Sequence, residues 1–447
     1  MRKVFSRLFR FGFSGIFLFF ISAIPVGEAC AQTNFLAAAD FSDLAFFESR
    51  GVTYKDNGLV TDGIQILKDH GINCVRLRLW TSSATQAAAD PYNNGNNLAY
   101  TVPLAVRVKN AGLLFSLDFH YSDTWADPGH QATPDAWTNL NFTQLVAQMR
   151  SYNSNTVATF ATAGAMPDFV QIGNEITSGM LFPDGQVSGT GGTPWSNLGQ
   201  LMKAAIQGIE DATNALGVAM PKIIVHIDRG GDWSTTEWFF DNLKAQGVPY
   251  DIIGESYYPF FHGPLMNLNT CLSNAAIRYR KPIIVAEDAF PWTNTMTSWT
   301  NSLYGFAPTV TGQVSFLAAL AKVVKSVPNG LGVGVFYWGA EYQASSGVNE
   351  AGFNTSSFFD THGNLLPGAD AVAGIGAPLV LSPSVTGTNL LLEWPFSGAA
   401  SQLIGSTSLS GGALWSSITN PVSITGTVFG LTLPLSNSSG FYRLQSQ

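Results

Sequence analysis

Two glutamates are placed where the chain could hold a pair of opposed carboxyl groups. Glu175 ends the stretch Val170-Gln171-Ile172-Gly173-Asn174-Glu175, and Glu287 ends Ile283-Ile284-Val285-Ala286-Glu287. Each follows directly on residues of buried-strand character. Such a pair suits cleavage of a glycosidic bond. One carboxyl stays neutral to protonate the departing oxygen, and the other stays ionised to attack the anomeric carbon. One such glutamate is equally well explained as a loop cap or an arginine partner. Two at equivalent places make that explanation poor.

Other residues extend the set. Arg76 and Arg78 are two apart and share one face of a strand. An arginine beside a carboxylate holds it ionised, as a nucleophile requires, though a structural ion pair uses the same residues. The stretch Asp118 to His130 packs His, Asp and aromatic residues densely, which suits the hydroxyls and apolar face of a sugar. A zinc site from His120, His130 and an aspartate is the rival, but the spacing matches no familiar ligand pattern. In Ser256-Tyr257-Tyr258-Pro259 a tyrosine hydroxyl could bond the nucleophile, and Trp338 could form the floor under a sugar ring.

These residues need a frame that points them at one cleft. Eight apolar runs recur: Phe35–Asp40, Cys74–Trp80, Leu113–Phe119, Asp168–Ile172, Lys222–Ile227, Asp251–Ser256, Pro282–Glu287 and Gly332–Tyr337. Seven helix-like stretches separate them: Asp62–His70, Val102–Ala111, Phe142–Thr162, Asn197–Leu216, Thr235–Gln246, Leu268–Arg278 and Val314–Val327. Several end in glycine, as at Gly71, Gly112, Gly217 and Gly247, a common helix stop. Alternating strands and helices predict an α/β fold with a parallel sheet, and eight units predict a (β/α)8 TIM barrel. An open doubly wound sheet is the alternative, but no glycine-rich dinucleotide fingerprint follows the first run. In the barrel, residues at the C-terminal ends of the strands do the chemistry.

The barrel is assigned to residues 32–375. Residues 376–447 contain only Glu393 and Arg443 as charged groups, with short β-prone runs between Ser, Gly, Pro and Asn. They predict a small all-β, sandwich-like accessory domain. Trp394 or Trp415 could bind sugar there; a spacer with both in its core is the plainer reading. Residues 1–31 have a basic start, an uncharged apolar stretch and small residues at Ala29-Cys30-Ala31. This is the layout of a signal peptide, with an uncleaved anchor as the alternative. Cleavage predicts a secreted or periplasmic, cell-surface protein with no stable membrane insertion. Removing four basic residues and Glu28 takes the formal net charge from −8 to −11. The full 447 residues have only 12% charged residues and 22 Lys and Arg against 30 Asp and Glu, which excludes a nucleic-acid footprint. Cys74 and Cys271 are far apart, and two free buried thiols are expected rather than a disulfide scaffold.

Longer strings narrow the reading. The segments RLRLW (76–80), DFHYSDTWADPGHQ (118–131), VQIGNEITSGMLFPDG (170–185) and SYYPF (256–260) resemble glycoside hydrolase family 53, the arabinogalactan endo-β-1,4-galactanases. Residues 38–58 resemble that family's opening strand and loop, and the likeness covers about 35 to 367. The resemblance implies that Glu175 is the proton donor and Glu287 the nucleophile. It further implies that Asn174, Arg76, His120, Tyr257 and Trp338 line the subsite of the attacked sugar, with Asp40, Asp123, Trp125, His226 and Asp228 around it. The implied reaction is a double displacement on β-1,4-galactan, with net retention and with carboxyl groups about 5–5.5 Å apart. The implied partner is a neutral polysaccharide, the implied state a monomer. No cofactor is required. Calcium, which bacterial members can hold in the loop after the eighth strand, is not expected, because Glu341–Asn364 is short and weakly acidic. The sequence departs from the family at Gly339-Ala340, where Glu-Pro is usual, at 288–292, and at Phe261, where tryptophan is common. Another retaining β-glycanase, or a binding protein without catalysis, would share parts of this pattern.

Overall fold

The computed structural model describes residues 35–89, 95–189, 192–294, 304–344, 353–374, 380–395, 401–408, 413–425, 428–435 and 440–446. The N-terminal segment with its signal-like layout lies outside them, as do the junction at 375–379 and residues 345–352 of the loop considered for calcium.

Eight parallel strands close into a barrel: β1 Leu36–Asp40, β2 Cys74–Leu79, β3 Leu114–Phe119, β4 Phe169–Ile172, β5 Lys222–Ile227, β6 Ile252–Ser256, β7 Ile283–Asp288 and β8 Gly332–Tyr337. β8 pairs with β1, so no edge is left open. Each matches an expected apolar run to within a residue at either end. The runs are mostly apolar, in Val, Ile, Leu, Phe and Ala, because such strands are covered on one face by helices and filled on the other by the barrel interior, with polar residues such as Arg76 and Asp118 toward their C-terminal ends.

A helix follows every strand: α1 Gly63–Asp69, α2 Leu98–Asn110, α3 Phe142–Thr162, α4 Trp195–Leu216, α5 Trp233–Ala245, α6 Leu265–Tyr279, α7 Val310–Lys325 and α8 Gly368–Ala373. Their starts are encoded locally. Asp62, Asn97, Asn141, Asp232 and Thr309 each accept a backbone N–H of the first turn, and Asn141 and Gln144 cap each other reciprocally. The long α3 and α4 approach closely at Gly208, where a Cβ would meet the carbonyl oxygen of Arg150 at 2.1 Å. α8 was not expected from the sequence; its six residues are too few to show a helical period.

Inside the barrel, alternate residues of the strands build layers. The lower interior is a small apolar cluster that includes Leu36, Cys74, Ile224, Ile284, Ala286 and Phe336. The upper interior is polar, with Asp40, Arg76, Arg78, Asp118, Gln171 and His226 all buried. Regular alternation on β7 would continue Ile284 and Ala286 with Asp288. Instead β7 carries one extra residue opposite β6, and Ser256 pairs with Glu287. This bulge turns Glu287 into the barrel mouth, the re-aiming for which bulges serve near active sites.

Cys74 and Cys271 are both free and buried, as expected. Beyond the barrel, two antiparallel sheets follow: β9 Ser382–Thr386, β10 Asn389–Pro395, β13 Ser423–Thr425 and β14 Val428–Pro434 in one, and β11 Ser401–Ser406, β12 Ser416–Ser417 and β15 Phe441–Ser446 in the other. Trp394 is buried against Phe429 in the first sheet, so it is core and not a sugar platform. The guanidinium of Arg443 lies 4.3 Å over the Trp415 ring.

Candidate active site

Arg76 is the centre of the polar interior. It is wholly buried, and its Nη1 donates to Glu287 Oε1 at 2.9 Å and Asp40 at 3.1 Å. Its Nη2 donates to Asp118 at 2.7 Å and Asn174 Oδ1 at 2.8 Å. A planar fork is the side chain that can serve four acceptors on four different strands and loops. Asp118 lies below its ordinary value: burial opposes the charge, but Arg76 and His120 more than offset it.

Glu287 has a second partner, Tyr258, whose hydroxyl donates to Oε2 at 2.9 Å. Burial raises this carboxyl, while Arg76 and the Tyr258 bond act to lower it. Glu175 is in the opposite situation. It is raised well above the ordinary carboxyl value, first by enclosure in the cleft and then by Glu287, Asp228 and Asp127. No cation appears among those influences. Both carboxyls are raised, but Glu287 less than Glu175, because Arg76 and Tyr258 oppose its burial while acidic neighbours add to that of Glu175; an acid and a nucleophile call for a separation of this sign.

The backbone at Glu175 is itself unusual. Its φ of 49° and ψ of 48° are left-handed, a conformation rare outside glycine and asparagine. Gly173 just before it has φ 91°, and a Cβ there would meet Ile176 at 2.6 Å. The chain leaves β4 through this tight reversal, which lifts Glu175 over the interior while Asn174 stays buried at Arg76. Strained residues of this kind concentrate at functional sites.

Trp338, read from the sequence as a candidate floor under a sugar ring, lies with its ring centroid 6.1 Å from that of Trp125, and both are partly exposed. Arg78 backs them, its guanidinium 4.3 Å from the Trp125 ring and 5.7 Å from that of Trp338, while it pairs with Asp43 at 2.6 Å. A flat apolar pair with a cation behind it suits the C–H face of a sugar.

Several expected contacts lie elsewhere. The Tyr257 hydroxyl donates to the Gly263 carbonyl, and its ring stacks on Phe316 of α7, outside the barrel. The tyrosine that reaches Glu287 is Tyr258, which continues the inward alternation of Ile252, Gly254 and Ser256 along β6. Asp40, His120 and His226 are almost fully buried and stand behind the site. His120 accepts the Ala126 N–H at Nδ1 and sets Nε2 3.1 Å from Asp118. It is not a partner of His130, which is exposed and paired with Asp127. Asp123 ties loops together through Thr81 and Gln86. Asp228 bonds Thr177 and is raised, mainly by burial, at the edge of the cleft. Ser256 was not anticipated; it contacts Glu175 Oε1 at 2.5 Å and His226 at 2.8 Å. Its position at the end of β6 was the available signal. Among the described residues, no group of three or more His, Cys, Asp or Glu is arranged to hold a metal ion. Nor is any described helix long and apolar enough to cross a membrane.

Comparison with known proteins fits this geometry. An uncharacterized protein of Niallia circulans is 40% identical over 319 residues, 69% of this chain and 84% of that protein. A probable arabinogalactan endo-beta-1,4-galactanase A of Neosartorya fischeri is 36% identical over 310 residues, 67% of this chain and 82% of that one. The Ignisphaera aggregans GH53 catalytic domain superposes with a TM-score of 0.68 at 30% identity, covering 79% of this chain and 98% of that domain. The profile of Glycosyl hydrolase family 53 matches residues 36–372, and the chain is a glycoside hydrolase belonging to that family.

Proposed function

We propose that the chain is a secreted endo-β-1,4-galactanase acting on the β-1,4-galactan of type I arabinogalactan, the neutral side chains of pectin, by double displacement with retention. The observation that carries the mechanism is the unequal treatment of two carboxyls, one gripped by Arg76 and Tyr258 and the other surrounded by acidic groups. The substrate is inferred from the activity for which the Neosartorya relative is named.

In the first step Glu287 attacks the anomeric carbon as Glu175 protonates the glycosidic oxygen, which leaves with the electrons of the broken C–O bond. A galactosyl ester on Glu287 results. In the second step the ionised Glu175 takes a proton from water, and the water oxygen displaces Glu287 from the same carbon. Two inversions give retention. Arg76 and Tyr258 stabilise the Glu287 carboxylate when it is set free. Asn174, fixed through Oδ1 by Arg76 and through Nδ2 by the Ala126 carbonyl, is placed to meet a sugar hydroxyl. Trp125 and Trp338 carry the ring. The reaction calls for no organic cofactor and no metal ion.

Secretion rests on residues 1–31, and a monomer acting on polymer is the simplest form. The sheets formed from residue 382 onward are taken as an accessory module, spacer or attachment in role, whose removal leaves hydrolysis intact. The test is incubation of the purified chain with potato or lupin galactan. Short β-1,4-galacto-oligosaccharides should appear, and NMR should show the β-anomer first. A folded sample that releases nothing, or that releases the α-anomer first, overturns the reading.

A further inference from the structure

A hydrogen-bonded row runs from the Glu175 carboxyl into the barrel, and the chemistry of its far end fixes the direction of every proton in it. Asn174 Oδ1 accepts from Arg76 Nη2 at 2.8 Å and from Gln171 at 3.1 Å, while Asn174 Nδ2 donates to the Ala126 carbonyl. Arginine can only donate, so the amide cannot be turned over. His226 Nδ1 lies 3.0 Å from that same Oδ1 and must therefore carry a hydrogen. The ring is buried beside Arg76 and is kept neutral by both circumstances. A neutral imidazole with its hydrogen on Nδ1 has only a lone pair on Nε2. Ser256 Oγ, at 2.8 Å, is the donor that Nε2 requires. A hydroxyl has one hydrogen. Once Ser256 gives it to His226, Oγ can only accept from Glu175 Oε1, 2.5 Å away.

We propose that Ser256 and His226 form a one-way hydrogen-bond relay, Glu175 to Ser256 to His226 to Asn174, that favours the protonated carboxyl of Glu175 and so holds the acid loaded in the free enzyme. This rests on the acid role given to Glu175 above. When Glu175 is ionised, the Ser256 hydroxyl must either abandon His226 or offer only lone pairs to a carboxylate. Either way one hydrogen bond is lost, and the neutral acid is favoured by that amount. Ser256 and His226 are positioning residues, acting through Glu175. The groups facing Glu175 are Glu287 from β7, Asp228 after β5, Asp127 from the loop after β3, and Tyr258 after β6. Those facing His226 are Arg76, Asp118 and His120. None of these can supply His226 Nε2 with the donor it needs, since that nitrogen is spanned by Ser256.

The relay opposes the simpler view in which Ser256 donates to the Glu175 carboxylate and lowers its pKa, and the two differ in sign. The alkaline limb of kcat/KM on galacto-oligosaccharides reports the acid in the free enzyme. In Ser256→Ala that limb should move to lower pH by about 0.5–1 unit, the equivalent of one neutral hydrogen bond. Ser256→Thr keeps the hydroxyl and should leave the limb in place. A limb that stays put or moves to higher pH in Ser256→Ala overturns the relay. Nitrogen-15 NMR of His226 in the unmodified chain gives a second measurement that needs neither a variant nor turnover. A neutral ring protonated at Nδ1 is expected through pH 5–8. A proton on Nε2 overturns the relay, whatever the variants do. Absence of galactan hydrolysis by the unmodified enzyme would instead defeat the functional reading, leaving the NMR result to judge the row of bonds by itself.

Discussion

Tyr258 gives its hydroxyl to Glu287 Oε2 at 2.9 Å, and its sequence neighbour Tyr257 gives its own to the Gly263 carbonyl on the other side of the strand. Adjacent, chemically identical side chains thus have unrelated jobs. Tyr258→Phe should lower kcat by about one to two orders of magnitude and move the acid limb of the pH profile upward, since Glu287 loses a donor to its charged form. Tyr257→Phe should leave kcat and the profile alone and cost about 0.5–1.5 kcal/mol of stability, read as a small drop in Tm.

The two glutamates set a bell-shaped pH dependence. Activity rises with pH as Glu287 ionises and falls as Glu175 ionises. Burial raises both above the ordinary carboxyl value of 4.5, and Glu175 further than Glu287, so both limbs should lie above that value. Glu287→Gln should reduce turnover to background. Glu175→Gln should reduce it by about 10²–10⁴-fold on galactan, and far less on aryl glycosides whose leaving group needs no proton.

The raised Glu175 also carries a stability signature. Its folded pKa exceeds its unfolded one, so folding takes up a proton there between the two values. The contribution is favourable at low pH and lost as pH rises through the folded value. The Tm of Glu175→Gln relative to the unmodified chain should therefore increase with pH; a constant difference from pH 4 to 9 contradicts the raised pKa.

Arg76 is ion-paired at once with Asp40, Asp118 and Glu287. Arg76→Met leaves three buried carboxylates without their cation and should cost about 3–5 kcal/mol, measurable by denaturant unfolding. Arg76→Lys keeps the charge but cannot reach four acceptors at once. It should fold, lose most activity, and shift the acid limb to higher pH.

Far from the site, His70 lies between Asp370 at 2.7 Å and Asp56 at 3.3 Å, tying the end of α1 to α8 and to a short antiparallel pair before α1, Lys55–Asp56 with Leu59–Val60. The Asp370 bond, against burial and with help from Asp56, raises its pKa to about 9 from 6.5. The stabilisation is complete below pH 6.5 and lost as pH rises through about 9. His70→Ala should lower Tm clearly at pH 6 and hardly at pH 10. An equal drop at both values would show that packing, not charge, is what His70 provides.

The barrel was legible because its signal recurs: eight apolar runs ending in turns, seven of them followed by a helix-like stretch, with caps such as Asp62 or Asn141 at the helix starts. Glu175 and Glu287 were legible because a carboxylate directly after a buried strand is chemically out of place. Direction was not legible. Asp40, His120 and His226 sit at strand ends like true sugar contacts, yet they point into the barrel beneath the cleft. The choice between Tyr257 and Tyr258 follows the phase of β6, in which Ser256 faces the interior and Glu255 does not, and residue type leaves that phase unmarked. Ser256 is equally silent, since a serine ending a strand is ordinary until His226 and Glu175 are seen on either side of it.

The left-handed backbone at Glu175 reaches beyond catalysis. Few side chains tolerate that geometry, and under the proposed acid role the reaction is what keeps a glutamate there. A duplicated copy relieved of its enzymatic task would drift there toward glycine or asparagine, the residues that relax the turn, and not toward glutamine or alanine. Retired paralogues, if sequenced, would thus advertise their retirement at this one codon while the surrounding barrel stayed intact.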